Sequence, residues 1–549
     1  MKRFTLTLAF LLAVAPTLYA QHDSGGQHAA SEEKPAAIVT GLGEHRHPVS
    51  TTNAEAQRFF DQGLNYIYAF NHDEAVRSFK RAAELDPQLA MAHWGIALAL
   101  GPNINLDVDP ERERAAYEAA QKAMSLATRA PENERAYIEA LAKRYSIDPK
   151  ADLKRLAVDY KNAMGEVVRR YPDDLDAATL YAESAMDLRP WQLWTADGKP
   201  AEGTEEIISV LESVLRRNPN HPGAIHYYIH AVEASPNPER ALAYAPKLTT
   251  LMPGAGHIVH MPSHIYMRTG DYAAAARSNE EAAEADRAYI KTSGVRGIYP
   301  VMYYSHNLHF LAIAYSMDGR LALARRSAEQ LASNVSPHLK AMPMLEGFMI
   351  TTPLVLVRFN RWDDVLKMPE PAQEMTGTRA VWRWARAVAY AASGKTAEAE
   401  TERKAFLEAE KAVPADASWG LNSAQSILQM AEKVLDARIA IAKGDRKSAI
   451  ELLEAAVRLQ DSQAYDEPPA WFLSSRETLG AALLKSGRAE DAEKVFRLDL
   501  GKNPRSGRSL FGLMESLKAQ GKKYAAQMVQ KEFETAWKNA DTQLKIEDL

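Results

Sequence analysis

A helical pattern with small residues and turn signals at matching places returns along most of the 549 residues, and it constrains the fold more than any other feature. In its clearest unit, residues 54–87, Gly63 and Ala75 let two helices approach closely, Phe79 fills the seam, and Pro87 ends the second helix. Similar turn signals return at 269–272, 318–321, 393–397, 443–449 and 486–492. Because no alternating strand pattern competes, we predict an all-α protein of stacked helix pairs.

The 54–87 unit resembles the tetratricopeptide repeat (TPR), and the resemblance is carried by Gly63, Tyr66, Ala75, Phe79, Ala82 and Pro87. It implies an α-solenoid, a right-handed superhelix of about ten to twelve helix pairs over residues 51–540, followed by a tail at 541–549. Insertions at 101–112 and 190–203 are expected to form loops on one face. In the second insertion, Trp191 and Trp194 either cover a binding groove as a lid or cover an apolar edge of a neighbouring repeat.

The first twenty residues have the pattern of a signal peptide. A cationic start, Met1-Lys2-Arg3, precedes an apolar run at 6–15 and the small-residue site Leu18-Tyr19-Ala20. We therefore expect cleavage near Ala20, a flexible polar leader at 21–50, and a periplasmic or secreted product of exported bacterial type. No later stretch approaches the ~20 apolar residues of a membrane span.

Charge and cysteine content limit the partners and the chemistry. The formal net charge is only -5, so no broad basic field exists and we expect no nucleic-acid partner. Cysteine is absent, which leaves His, Met and carboxylates as the available metal ligands. We expect a protein, peptide or small-molecule ligand in the concave groove of the solenoid.

Histidine is concentrated in the middle of the chain, where eight of the fifteen lie between residues 221 and 309. The TPR resemblance implies that the groove is lined by fixed places of each first helix. Those places fall on His226, His230, Glu233, His257, His260, His264, His306 and His309. At 100° per residue, 226, 230 and 233 lie within about 60° of one another on a helix, as do 257, 260 and 264.

These side chains predict a transition-metal site for Zn, Cu or Fe, because His and Glu are the usual ligands for these ions when thiolate is missing. The set exceeds the needs of one ion, so either two ions bind or some histidines serve as acid–base or supporting groups. Pro262 leaves open whether His257 lies on the preceding loop instead. Glu183 is a candidate second carboxylate in the groove, and His45 and His47 can fold back onto it from the leader.

Three functions remain open from the sequence. The first is an exported TPR binding protein whose groove carries the metal site. The second is a metalloenzyme, either a hydrolase or a copper or iron oxidase. The third is a metal-free scaffold for peptide or protein partners, in which the histidines act as hydrogen-bond donors.

Overall fold

The computed structural model describes residues 36–549, so the predicted signal peptide and the leader up to residue 35 lie outside the described part. Twenty-six α-helices form this part. The first thirteen are α1 Ala54–Tyr68, α2 His72–Leu85, α3 Ala90–Leu100, α4 Pro110–Leu126, α5 Glu132–Ala142, α6 Leu153–Arg170, α7 Leu175–Met186, α8 Thr204–Arg217, α9 Pro222–Val232, α10 Leu248–Leu251, α11 Gly256–His260, α12 Pro262–Thr269 and α13 Tyr272–Ser293. The others are α14 Tyr304–Met317, α15 Leu321–Val335, α16 Glu346–Met349, α17 Thr351–Arg358, α18 Trp362–Lys367, α19 Thr376–Ala392, α20 Thr396–Lys411, α21 Ala424–Ala442, α22 Arg446–Asp461, α23 Ser475–Lys485, α24 Ala489–Lys502, α25 Gly507–Ala519 and α26 Lys523–Ala536.

Short elements connect these helices. The 3-10 helices are Ala127–Arg129, Pro238–Ala243, Ala245–Lys247, Ser336–His338, Pro343–Leu345 and Ile546–Asp548, and a π-helical turn at Tyr299–Tyr303 runs into α14. Within residues 36–549, the strands are β1 Ser418–Trp419 and β2 Asn422–Ser423, which pair as a small antiparallel hairpin. Each helix packs mainly against its neighbours in sequence, such as α1 on α2 and α19 on α20. The predicted all-α solenoid of paired helices is therefore confirmed.

Glycines opposite a phenylalanine set the close approach of the helices. A Cβ added at Gly63 would lie 2.7 Å from the Phe79 ring, and one added at Gly95 would lie 2.5 Å from it. Near the other end of the chain, a Cβ added at Gly480 would lie 2.4 Å from the Phe496 ring, and one added at Gly512 would lie 2.2 Å from it. The aromatic ring fills the seam only because no side chain stands opposite it.

The middle of the solenoid departs from regular pairing. After α9, two 3-10 helices and the short α10 take the place of a long second helix, because Pro238 and Pro246 remove backbone donors. The next inner helix is divided at Met261, where α11 ends and α12 begins with Pro262. His257 lies within α11 and not on the loop before it.

Distant parts of the chain close over the solenoid interior. At the N-terminal end, α1 packs on α9, and at the C-terminal end the Tyr272 hydroxyl donates to the Pro504 carbonyl at 2.9 Å. The connection between α22 and α23, residues 462–474, reaches the inner helices α9 and α12 through Tyr465 and Glu467. The concave side of α9, α11 and α12 is therefore a filled interior.

Residues 36–50, within the predicted polar leader, lie against the solenoid without regular secondary structure. Leu42 and Val49 are buried, and the Gly254 amide donates to the Gly41 carbonyl at 2.8 Å. The segment thus contacts the loop that leads into α11. Within residues 36–549, no helix has the length and apolarity needed to cross a bilayer.

Candidate metal centre

Six of the predicted histidines meet in two groups of three, on the facing sides of α9, α11, α12 and α14. The first three-histidine site is formed by His226, His230 and His257, and the second by His260, His264 and His306. Within each site, the candidate ligand atoms lie within 4.8 Å of one another. Five of the six side chains are buried, and His306 is partly buried. The i, i+4 pairs 226/230 and 260/264 put two imidazoles on one helix face.

In the first site, the imidazoles meet through the same ring atom. His226 Nε2 lies 3.2 Å from His230 Nε2 and 3.2 Å from His257 Nε2. The other ring nitrogen, Nδ1, points away from the site and is called the outer nitrogen. His226 Nδ1 lies 2.7 Å from the Tyr68 carbonyl oxygen, and His230 Nδ1 lies 2.7 Å from Glu233 Oε1. A carbonyl oxygen and an ionised carboxylate can only accept a hydrogen bond. In both neutral rings Nδ1 therefore carries the proton, and Nε2 has a lone pair.

The second site repeats this arrangement. His260 Nε2 lies 2.7 Å from His264 Nε2, and His264 Nδ1 lies 2.7 Å from Glu233 Oε2. His260 Nδ1 lies 2.7 Å from Asn279 Oδ1, and the Asn279 amide donates to the Ala275 carbonyl at 2.8 Å, which orients its oxygen toward the ring. One carboxylate, Glu233, therefore holds a histidine of each site.

This chain of contacts has fewer protons than hydrogen bonds would require. Six contacts link the Tyr68 carbonyl, His226, His230, Glu233, His264, His260 and Asn279 in that order. Four neutral imidazoles supply one proton each, and the ionised carboxylate supplies none. The four contacts to oxygen use all four protons. The two Nε2–Nε2 contacts are therefore left with lone pairs facing each other.

Burial keeps four of the six imidazoles neutral. It holds the pKa of His226, His257, His260 and His306 well below the ordinary value, and neighbouring histidines lower those pKa values further. For Glu233, burial alone would raise the pKa. The electrostatic interaction with His264 and hydrogen bonds from His230 and His264 outweigh burial and bring the pKa of Glu233 to about 2. Protonating a second nitrogen to bridge the two Nε2–Nε2 contacts would therefore cost free energy.

The 462–474 segment adds two side chains from the far end of the chain. The Tyr465 hydroxyl donates to Glu233 Oε2 at 3.0 Å, and the Glu467 carboxylate contacts His264 Nδ1. Glu467 and Glu233 thereby form, with His230 and His264, a further group whose atoms could hold a cation. This group uses the Nδ1 side of the two rings, so it competes with the two three-histidine sites for His230 and His264.

Two aromatic residues against the first site have an unfavourable backbone. Phe70 has φ 53° and Trp191 has φ 62°, in the left-handed region that bulky side chains rarely adopt. The Phe70 ring lies 4.4 Å from the His226 ring, and the Trp191 ring lies 5.3 Å from the His230 ring. Such strain, about 1–3 kcal/mol per residue, collects at functional sites. Trp194 donates to the Ala231 carbonyl at 2.8 Å, so both tryptophans of the insertion cover α9.

Two predicted residues are not brought into either three-histidine site. His309 is buried beside Phe348, with ring centroids 5.4 Å apart. Glu183 is buried on α7 beside Asp187 and Arg144, and burial followed by the charge of Asp187 raises its pKa well above the ordinary value.

His45 and His47 fold back, as the sequence allowed, but onto a separate cluster around Asp176. The Asp176 carboxylate lies 2.9 Å from His45 Nε2, 2.9 Å from His47 Nδ1 and 3.2 Å from His221 Nε2, and it accepts from the Tyr68 hydroxyl at 2.5 Å. Every one of these partners is able to donate a proton to the carboxylate. The Asp176 cluster therefore has no proton deficit, and hydrogen bonding alone explains it.

Sequence reasoning missed Tyr68, Asn279, Tyr465 and Glu467. The Tyr68 contribution is a backbone carbonyl, which no residue type signals, and Asn279 is one polar side chain in an alanine-rich helix. The only signal for Glu467 is an acidic, proline-rich connection, Tyr465 to Pro469, between two helices.

No protein-family model matches the sequence. No curated protein matches it either. Solved helical-repeat structures are similar along most of the chain, including the human IFIT1 dimer with m7Gppp-AAAA, at 14% identity and TM-score 0.33, covering 90% of this chain and 92% of that one. Yeast Tom70 has 14% identity and TM-score 0.27, covering 87% and 90%, and the TPR domain of P58(IPK) has 11% and 0.23, covering 86% and 99%. Likeness this distant carries no argument about the function of this chain.

Proposed function

We propose that the chain is a metalloprotein that binds two transition-metal ions, one in each three-histidine site. The observation that carries the proposal is the proton deficit between His226 and His230 and between His260 and His264. Facing lone pairs in a buried site repel each other, and a cation between them removes the repulsion.

The spacing in the first site supports this proposal. Bonds of ~2.0 Å to a tetrahedral ion separate neighbouring ligand atoms by ~3.3 Å. The two Nε2–Nε2 distances from His226 are 3.2 Å. In each site the outer nitrogen of a ligand histidine already donates to a fixed oxygen, which is the usual support for a metal-bound imidazole.

The donor set favours copper or zinc. All six proposed ligands are neutral imidazoles, which suit Cu, Zn and Fe, and in the divalent series copper binds nitrogen sites most tightly. Three histidines also leave a fourth position on each ion. In this assignment Glu233 is a shared hydrogen-bond acceptor, whereas the sequence predicted it to be a ligand.

Metal analysis of single-site variants tests the proposal. Tag-free full chain should hold two ions by elemental mass spectrometry after reconstitution with Cu(II) or Zn(II). His226→Ala and His260→Ala should each retain one ion, and the double variant should retain none. His309→Ala is the matched control, because His309 is buried on an inner helix outside both sites, and it should retain two. A parent chain that takes up no metal would refute the proposal and favour a metal-free scaffold.

A single ion on His230, Glu233, His264 and Glu467 is the alternative arrangement. It is supported by the contact of Glu467 with His264 Nδ1, and the two ring Nε2 atoms would then donate to His226 and His260. This arrangement predicts one ion per chain that is lost in Glu467→Gln. Two ions that survive this substitution would exclude it.

A further inference from the structure

A pocket of about 260 Å³ opens beside the second three-histidine site, between α12, α14 and the 462–474 segment. His264 stands at one side of the pocket, together with Met267 of α12 and Phe310 of α14. The Phe310 ring lies 4.6 Å from the His260 ring and 4.8 Å from the His264 ring. The wall of the pocket is therefore also in direct contact with the proposed ligands.

Much of the pocket lining is apolar. Ile313 and Met317 continue the wall along α14, and Trp471, Phe472 and two prolines of the 462–474 segment face them. Flat aromatic walls favour a planar ring, which stacks or meets them edge to face. This volume is just below the usual range of about 300–1,000 Å³ for ligand sites, which limits the occupant to a small molecule.

The charged groups at the pocket already have ion-pair or hydrogen-bond partners within the protein. Asp461 binds Arg476 and Lys502, with distances of 2.9 Å and 2.8 Å. Arg268 donates to the Glu233 carbonyl at 2.9 Å, and its guanidinium lies over the Tyr465 ring.

The remaining carboxylates are held in the same way. Asp499 accepts from Ser474 and Ser509 at 2.5 Å each, Asp466 accepts from the Glu467 amide at 3.1 Å, and Glu467 is bound to His264. A charged ligand would lose its hydration and could pair with one of these groups only by displacing a contact that the group already makes.

We propose that this pocket binds a small uncharged aromatic molecule beside the second three-histidine site. The role of the ligand rests on the proposed metal function, because the ring would lie next to an ion only if the second three-histidine site binds one. Binding itself depends on the pocket walls and requires no metal.

Phenol, benzoate and benzylammonium test the recognition, because they share one ring and differ in charge. We expect calorimetric titration of the metal-loaded full chain to show saturable 1:1 binding of phenol. After the metal is removed by chelation, both charged compounds should bind at least about tenfold more weakly than phenol, since each must displace an existing contact of its partner. No phenol binding, or equal binding of all three, would overturn the proposal.

Two substitutions locate the binding. Met267→Trp places a larger side chain at a half-buried position of the lining and should abolish phenol binding while the bound metal is retained. Phe472→Ala removes a ring from the opposite wall and should weaken phenol binding several-fold. Leu498→Ala, at an exposed position of α24, is the control and should bind phenol as the parent does. Unchanged affinity in both pocket variants would refute this location.

Repeating the titration after chelation separates the two proposals. Phenol binding that persists without metal supports the pocket even if no metal is ever found. Metal uptake without phenol binding would support the metal proposal and refute the proposed aromatic ligand.

Discussion

At the scale of single residues, the protonation pattern of the histidines decides what the centre can bind. Each i, i+4 pair has its outer nitrogens committed to oxygen acceptors, so its inner nitrogens converge without protons. The Asp176 cluster contains three histidines, as each three-histidine site does, but these histidines can all donate a proton to the one carboxylate. Residue content alone therefore does not separate a metal centre from a hydrogen-bonded cluster.

Glu233 is the residue whose substitution best reports on this pattern. Glu233→Gln replaces one acceptor oxygen by an amide that donates, so either His230 or His264 loses its partner. We expect metal affinity to fall about 10–100-fold at one site or both, measured by competition with a chelator. Glu183→Gln is the control, since Glu183 is also buried on an inner helix but outside both sites, and its metal affinity should equal that of the parent.

At the scale of elements, the segment 36–50 is fastened by the Asp176 cluster. Burial alone would raise the pKa of Asp176, but hydrogen bonds from His221, His45 and His47 hold it well below the ordinary value. Burial alone would lower the pKa of His47, but the hydrogen bond and charge of Asp176 raise it above 6.5. The stability from Asp176 is lost as pH falls through its depressed pKa, and that from His47 is lost as pH rises through its raised pKa.

Asp176→Asn should therefore release this segment. We expect a loss of about 2–3 kcal/mol in unfolding free energy near neutral pH, because a buried charge network loses its central acceptor. Hydrogen exchange should become faster in residues 36–50 while the helices around the three-histidine sites stay protected. Asp173→Asn, at an exposed neighbouring position, is the control. Unchanged exchange in residues 36–50 would contradict this role for Asp176.

A buried carboxyl on α13 connects two of the histidine-bearing elements. Asp286 accepts from the Tyr299 hydroxyl at 2.9 Å and from Asn307 Nδ2 at 2.7 Å, next to His306. On its other side a Cβ at Gly256, next to His257, would meet it at 2.0 Å. Asp286 therefore helps to position both α11 and the start of α14.

Burial raises the pKa of Asp286 to about 7. Between its ordinary value of 3.8 and about 7, the folded protein keeps a proton that the unfolded chain releases. The contribution of this group to stability therefore falls as pH rises through that window. Thermal melts of Asp286→Asn should show a smaller loss of stability between pH 4.5 and 7 than the parent. An equal pH slope in both proteins would refute this assignment.

At the scale of the whole molecule, the proposed ions join parts of the chain that are far apart in sequence. The two sites take ligands from three successive inner helices, and Glu467 reaches them from the connection before α23. A ligand that binds only the folded state stabilises it, by about 2.7 kcal/mol per site when its concentration is a hundred times its Kd.

Metal removal should therefore lower the Tm of the full chain. The His226→Ala/His260→Ala double variant should melt at the same temperature with and without added metal, which separates specific binding from surface effects. An equal response of parent and double variant to metal would contradict a structural contribution from the two sites.

The helical repeat and the placement of histidine pairs on single helix faces were determined by the sequence, because both follow from local periodicity. Gly63 and Phe79 mark the seam of a helix pair, and the 226/230 and 260/264 spacings place imidazoles on one face of a helix whatever the rest of the chain does.

Only the tertiary structure decided which histidines meet, which atoms they present, and what closes over them. His257 joins the first site because α11 begins before it, and His309 is turned toward Phe348. Tyr68, Asn279 and Glu467 complete the centre from up to 203 residues away. These contacts depend on the closure of the solenoid on itself, a sum of many packing interactions between distant repeats that no local pattern records.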